Sequence, residues 1–182
     1  TKTVCREARV QPSAVNYWFG SREGLYEQVL MRIPEKILSE ETFAHIAGHQ
    51  EPEVILKAFL THFYELGSEK ENWEMKLWIR EMFGGTPTRA FLKLVREMAG
   101  PRIKIIKLAL ATCLQVDPSS KENERALIGL IAPAVILFTT APEILELNFP
   151  HLANDRKKQA ALLAQSALES LLKQKPPSVG GP

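Results

Sequence analysis

Cysteine is scarce. Cys5 and Cys113 are the only two in 182 residues, too few and too far apart for a disulfide framework or for the paired spacing of a zinc site. No apolar run reaches the about 20 positions that a membrane-spanning helix needs. The opening residues also lack the basic-then-apolar order of a secretory signal. Together these absences place the expected chain in a reducing cytoplasm, away from membranes. Charge of one sign is missing too: 23 basic residues face 21 acidic ones, a formal net of +2. Bulk attraction at that level does not drive nucleic-acid binding, so any affinity for DNA must come from local placement. There is no glycine-rich phosphate loop, no histidine pair around a glutamate and no nucleophile elbow, so the sequence offers no catalytic residue and no cofactor site. Long alternation of apolar and polar residues is also lacking, which argues against a sheet.

What is present is 45% hydrophobic content, enough to fill one medium helical domain and a smaller one. The smaller unit is residues 1–32. Pro12 suits the first position of a helix, since its φ is preset and its missing amide is not needed there. On the helix that follows, Val15 and Phe19 share one face, and Val10 is placed to close the same apolar surface. Ser13 and Tyr17 point the other way, flanked by Ala14 and Asn16. That outward face is small, polar and aromatic, as a helix entering a major groove requires: serine and asparagine bond base edges, and a tyrosine hydroxyl reaches a phosphate. Ser21 caps the next helix and leaves Arg22 beside free backbone amides, a place for a phosphate. Over residues 1–22, Lys2, Arg6, Arg9 and Arg22 against Glu7 give a local net of +3. The candidate DNA contacts are therefore Gln11, Pro12, Ser13, Asn16, Tyr17, Trp18 and Arg22.

The run Val4-Cys5-Arg6-Glu7-Ala8-Arg9-Val10, followed by Ala14-Val15-Asn16-Tyr17-Trp18-Phe19-Gly20-Ser21-Arg22-Glu23-Gly24-Leu25, resembles the helix-turn-helix of the tetracycline-repressor (TetR) family. The aromatic pair, the Gly-Ser turn and the basic residue after it occur together at family spacing. The resemblance implies a homodimeric, all-helical transcriptional regulator that releases operator DNA when a small molecule enters its larger domain. Arg9 stands where the family usually has a turn glycine, Gln11 where it often has a serine cap, and Trp18 where histidine or tyrosine is common. Arginine at positive φ would cost roughly 1 kcal/mol, and glutamine is a poor cap. These departures bear on which operator is read rather than on how the helix docks. The family also packs its two-helix reader against a preceding helix, which is expected upstream of Thr1.

Beyond the reader, helix follows helix. Leu25, Val29, Ile33 and Ile37 keep a four-residue spacing that Pro34 should kink or end. Pro52 opens a helix carrying Val54, Ile55, Ala58, Phe59, His62 and Phe63 on one face. Capping boxes are expected at Ser68–Glu71 and Ser119–Glu122, a helix end at Gly84-Gly85, a start at Thr86-Pro87, and an interruption at Gly100-Pro101 before Ile103 to Leu114. Leu127, Leu130, Ile131, Ala134, Val135 and Phe138 form a broad stripe that Pro133 should bend, and Asn154 caps a last helix striped by Leu163, Ala164, Ala167, Leu168, Leu171 and Leu172. Such a pair of helices either fills one monomer's core or builds a four-helix dimer interface, and the family resemblance favours the homodimer. The expected division is residues 1–32 for DNA, 33–174 for effector binding and dimerisation, and 175–182 as a disordered tail.

Effector contacts are expected among the aromatic and polar residues of the middle helices: Phe59, His62, Phe63, Trp78, Arg80 and Phe138, with Trp73, Met82 and Phe83 nearby. The segments Trp78-Ile79-Arg80-Glu81-Met82 and Pro87-Thr88-Arg89-Ala90-Phe91 resemble the regulatory domain of the CecR-type branch, which implies a hydrophobic or drug-like effector. His45 and His49 share a helix face, but no third ligand follows at a metal spacing, so no metal site is expected. The functional expectation is a ligand-responsive repressor of double-stranded operator DNA. The alternative is a helical dimeric adaptor that binds another protein and not DNA.

Overall fold

The computed structural model describes residues 2–37, 39–68 and 72–173. Its helices begin where the local chemistry is favourable. Pro12, Pro52, Pro142 and Pro150 each open a helix, where an amide is not needed. Ser21, Ser39, Asn72, Thr88 and Ser120 each precede a helix and accept a hydrogen bond from the amide three residues on. In chain order the helices are α1 (Lys2–Glu7), α2 (Pro12–Phe19), α3 (Arg22–Leu30), α4 (Ile33–Ile37), α5 (Glu40–Ala47), α6 (Pro52–Ser68), α7 (Trp73–Phe83), α8 (Arg89–Leu94), α9 (Gly100–Leu114), α10 (Lys121–Thr139), α11 (Pro142–Asn148), α12 (Pro150–Ala153) and α13 (Arg156–Lys173). Among the described residues there is no strand, so the fold is all-α.

Two apolar clusters hold these helices. The larger is built where α6, α9, α10 and α13 meet, from Leu56, Phe59, Leu60 and Tyr64 on α6, Ile106 and Leu110 on α9, Leu130 and Ala134 on α10, and Ala164 and Leu168 on α13. Leu163, Ala167, Leu171 and Leu172 pack against the same cluster, so the stripes of α10 and α13 serve the core of one chain. Tyr64 is fully buried and its hydroxyl donates to the Leu130 carbonyl at 3.0 Å, which satisfies a phenol that would otherwise be costly to bury. The smaller cluster joins α3 and α4 to the helices that follow: Leu30 of α3, Ile33 of α4, and Phe91 and Leu94 of α8 are buried together, with Tyr26, Leu77 and Trp78 against them. His62 Nε2 lies 2.7 Å from the Ile37 carbonyl and ties α6 to the end of α4.

Several sequence-predicted boundaries move. The cap of α10 is Ser120, not Ser119, and its hydroxyl accepts from Asn123 N at 3.1 Å. Ser119 is held in the preceding turn, its amide donating to Asp117 Oδ1 at 2.7 Å. At the last helix the cap is Asp155, one residue beyond Asn154, with Oδ1 accepting from Lys158 N at 3.4 Å. The helix expected from Thr86-Pro87 begins at Arg89 behind Thr88. Glu71 of the expected Ser68–Glu71 box and the tail 175–182 lie outside the described residues, and Asn72 caps α7 instead. At Gly100-Pro101 the chain does not break: a π turn, Val95–Ala99, joins α8 to α9, with Gly100 N bonding Val95 O. The wider turn lets the helix continue past a proline that has no amide to donate. Near Pro34 the long helix does end, at the turn Met31-Arg32 between α3 and α4, while α10 runs through Pro133.

Candidate functional site

The candidate DNA reader is made of α1, α2 and α3. Helix α1 closes with Arg9 N bonding Arg6 O at 3.1 Å and Val10 N bonding Cys5 O at 2.9 Å, the paired bonds of a helix end whose penultimate residue is left-handed. Arg9 occupies that position with φ 56°, so the arginine keeps the conformation that a glycine would adopt without strain. Helix α2 then starts at Pro12 behind an extended Gln11 whose side chain makes no capping bond. Its end is turned by Gly20 at φ 72°, whose amide bonds Asn16 O at 3.0 Å. Ser21 Oγ accepts from Gly24 N at 2.9 Å and starts α3.

Cys5 and Val15 are the buried residues of α1 and α2. Val10 and Phe19, expected to bury beside Val15, remain 46% and 39% exposed, because three short helices enclose little interior. Every expected DNA contact, namely Gln11, Pro12, Ser13, Asn16, Tyr17, Trp18 and Arg22, is exposed. Ser13 and Tyr17 lie opposite Val15 on α2, with Asn16 on the flank. Tyr17 and Trp18 are 79% and 73% exposed and meet edge to face at 4.9 Å. Among the residues whose part the sequence reading missed is Gly24: a Cβ there would sit 2.1 Å from the Phe19 carbonyl oxygen. That approach fixes how closely α3 crosses the end of α2, and it depends on the crossing rather than on any local turn signal.

The expected effector residues fall into two places. Phe59, Phe63 and Phe138 are in the larger cluster, Phe59 stacking on Phe63 at 6.0 Å and Phe63 meeting Phe138 edge-on at 6.3 Å. His62 faces the Ile37 carbonyl beside them. Trp78 and Arg80 belong instead to the junction between reader and core, Trp78 packing edge-on against Phe91 at 4.9 Å. There Tyr26 of α3 donates its hydroxyl to Glu81 Oε1 at 2.5 Å, Arg80 donates to the Tyr26 hydroxyl at 2.9 Å, and Thr88 donates its amide and hydroxyl to Glu81 Oε2 at 3.1 and 3.0 Å. Burial pushes the Glu81 carboxyl up, but the bonds from Tyr26 and Thr88 and the nearby Arg80 charge outweigh it and hold the group below its ordinary range. The Tyr26 phenol is raised, by burial first and then by its bond to Glu81. This network latches the reader helix to α7 and the start of α8. Beside it, α3 and α7 border an open cleft of about 390 Å³ lined by Tyr26, Val29, Trp73, Lys76, Leu77 and Arg80. His45 and His49 stack edge-on at 5.4 Å, and among the described residues no group of three or more His, Cys, Asp or Glu is placed to hold a metal ion.

Residues 52–173, from the start of α6 to the end of α13, match the family described as the C-terminal domain of the HTH-type transcriptional dual regulator CecR. The chain belongs to this family. It is thus a TetR-type transcriptional regulator with a CecR-like C-terminal domain. No curated protein matches it. The CecR-like part holds the larger cluster apart from Ile46 and Phe43 of α5, and also α7 with Glu81 and Arg80, and Thr88, while α1 to α5 precede the match. No single described helix is long and apolar enough to cross a membrane.

Proposed function

We propose that the chain is a ligand-responsive, homodimeric repressor that presents residues Gln11 to Trp18 of each subunit to one half of a near-palindromic operator. The observation that carries this reading is the face of α2, where Ser13, Asn16 and Tyr17 stand in solvent while Val15 is buried. Arg22 at the start of α3 is placed for a phosphate, as is the local basic excess. Two readers must sit about one turn of DNA apart, roughly 34 Å, so a ligand that shifts α3 against α7 would spoil the match and release the operator. Binding of DNA and of effector then oppose each other. For the dimer the larger-cluster stripes are already occupied within the chain, and the outward residues Ile128 and Ile136 of α10 and Leu162 of α13, all exposed, supply the apolar surface for a second copy.

The test is binding of the protein to its promoter DNA at several salt concentrations, with Tyr17→Phe and Asn16→Ala beside the parent. A groove reader loses affinity steeply with salt. The phenylalanine variant should weaken binding on all sequences, and the alanine variant should relax preference at one base by about 1–3 kcal/mol. Unchanged affinity in both removes the docking face, and salt-insensitive or absent DNA binding favours the protein-binding adaptor.

A further inference from the structure

The histidine pair at the end of α5 has no part in DNA or effector binding as proposed, yet its geometry is that of a chelate. His45 is exposed on the last turn of α5, and His49 is half-buried in the turn that leads to α6. Gly48 between them keeps helical dihedrals, φ −71° and ψ −13°, so positions 45 and 49 stay one helical turn apart on the same side. Their rings stand 5.4 Å apart at 70°. With metal–nitrogen bonds of about 2.0–2.1 Å, each imidazole centre lies roughly 3.2 Å from a bound ion, and two rings at the tetrahedral angle are about 5.2 Å centre to centre. The observed spacing meets that demand without moving the backbone. Among the described residues neither ring has a hydrogen bond or an ion pair, in contrast to His62, which is committed to the Ile37 carbonyl. Both rings are free to turn a nitrogen toward a common point.

Charge favours a cation here. Between Lys36 and Lys57 the chain holds Glu40, Glu41, Glu51 and Glu53 and no lysine or arginine. All four glutamates are exposed, so they draw cations to this end of the molecule and turn anions away. Arg102 of α9 approaches α5 over the Phe43 ring, 5.9 Å from its centroid, but residues two apart on a helix do not share a face, so it does not stand over His45. We infer that His45 and His49 chelate one late first-row divalent ion, zinc or nickel, with solvent filling its other positions. Two neutral imidazoles select such a metal over magnesium and calcium, which take oxygen ligands. The site goes beyond the regulatory proposal and does not rest on it. A bound ion clips the end of α5 to the turn that enters the CecR-like domain. Ile46, beside His45, is buried in the larger cluster, so the clip steadies α5 on that core.

Titration calorimetry on the full chain without a histidine tag, using Zn²⁺, Ni²⁺ and Mg²⁺ chloride, tests the chelate. Zn²⁺ and Ni²⁺ should each bind saturably at one ion per chain, and Mg²⁺ should not bind. His45→Gln and His49→Gln should each weaken binding by at least about tenfold, since even a residue that only supports a metal ligand is worth that much. His151→Gln, at an exposed histidine of α12, should leave it unchanged. Excess Ni²⁺ should raise the melting midpoint of the parent and not that of either α5 variant, and melting of the same samples without metal shows that the variants fold. Absence of saturable binding, equal affinity in the parent and both α5 variants, loss only in His151→Gln, or Mg²⁺ binding as tight as that of Ni²⁺ overturns the proposal.

Discussion

At the scale of single residues, two positions in the reader work against ordinary side-chain preferences. Arg9 sits at φ 56° with both closing bonds of α1 in place, so Arg9→Gly should raise the stability of the reader by up to about 1 kcal/mol, less whatever flexibility glycine adds to the unfolded chain. Thermal melting of the pair checks this, and a lower melting temperature for the glycine variant would contradict it. Gly24 is the opposite case. A methyl group there would stand 2.1 Å from the Phe19 backbone oxygen, an atom held by the end of α2 that cannot swing aside. Gly24→Ala should therefore cost about 1–3 kcal/mol and, under the proposed docking, weaken operator binding by tilting α2, although Gly24 is not among the proposed DNA contacts; wild-type melting and wild-type affinity together would refute the crossing argument. The departure at Arg9 was visible in the sequence because the family resemblance puts a turn glycine at that position. The need for glycine at position 24 was not, since it arises only when two helices are packed.

At the scale of elements, the helical character and the openings at Pro12 and Pro52 were legible, while those at Pro142 and Pro150 went unread and caps slipped wherever two polar residues compete. Ser119 and Ser120 are both able to cap, and the turn bond to Asp117 assigns Ser119 elsewhere; Asn154 and Asp155 compete in the same way, and Asp155 accepts from Lys158 N. The π turn at Val95–Ala99 was invisible because no propensity marks it. The element junction with the clearest pH signature is the latch on Glu81. Its carboxyl titrates below the ordinary range in the folded chain, so ionised Glu81 adds stability that is fully present above the unfolded value of about 4.3 and fades as pH falls through the lower folded value. Tyr26, raised, adds stability below its unfolded value of about 10 that fades as pH rises. Melting followed from neutral pH into acid should thus show a steeper loss for the parent than for Glu81→Gln, with the glutamine variant about 1–3 kcal/mol less stable at neutral pH. Parallel acid limbs would show that Glu81 is not the group responsible.

At the scale of the whole molecule, one chain carries two cores with different tasks. The larger one, on α6, α9, α10 and α13, was readable as stripes, because burial on one helix face leaves a period in the sequence. The division of the aromatic residues between the two cores left no such mark: Phe63 and Trp78 look alike in sequence, yet one packs on Phe138 and the other on Phe91. The smaller core, with the latch beside it, fastens α3 and α4 to the regulatory part, so it should open first. Tyr26→Phe removes the donor to Glu81 and the acceptor for Arg80 but leaves the ring against Leu30, Ile33, Phe91 and Leu94. Backbone amide exchange should then speed up across residues 22–37, by about tenfold for each 1.4 kcal/mol lost, while amides of α6, α9, α10 and α13 keep their parent rates. The change should be larger at α3 than at α4, because His62 holds the Ile37 carbonyl independently. Uniform acceleration in both cores would mean that the chain unfolds as one unit and that α3 has no independent seat to lose. Acceleration confined to the junction gives α3 a separate freedom, which is what the proposed release of DNA by an effector requires if the core is not to melt.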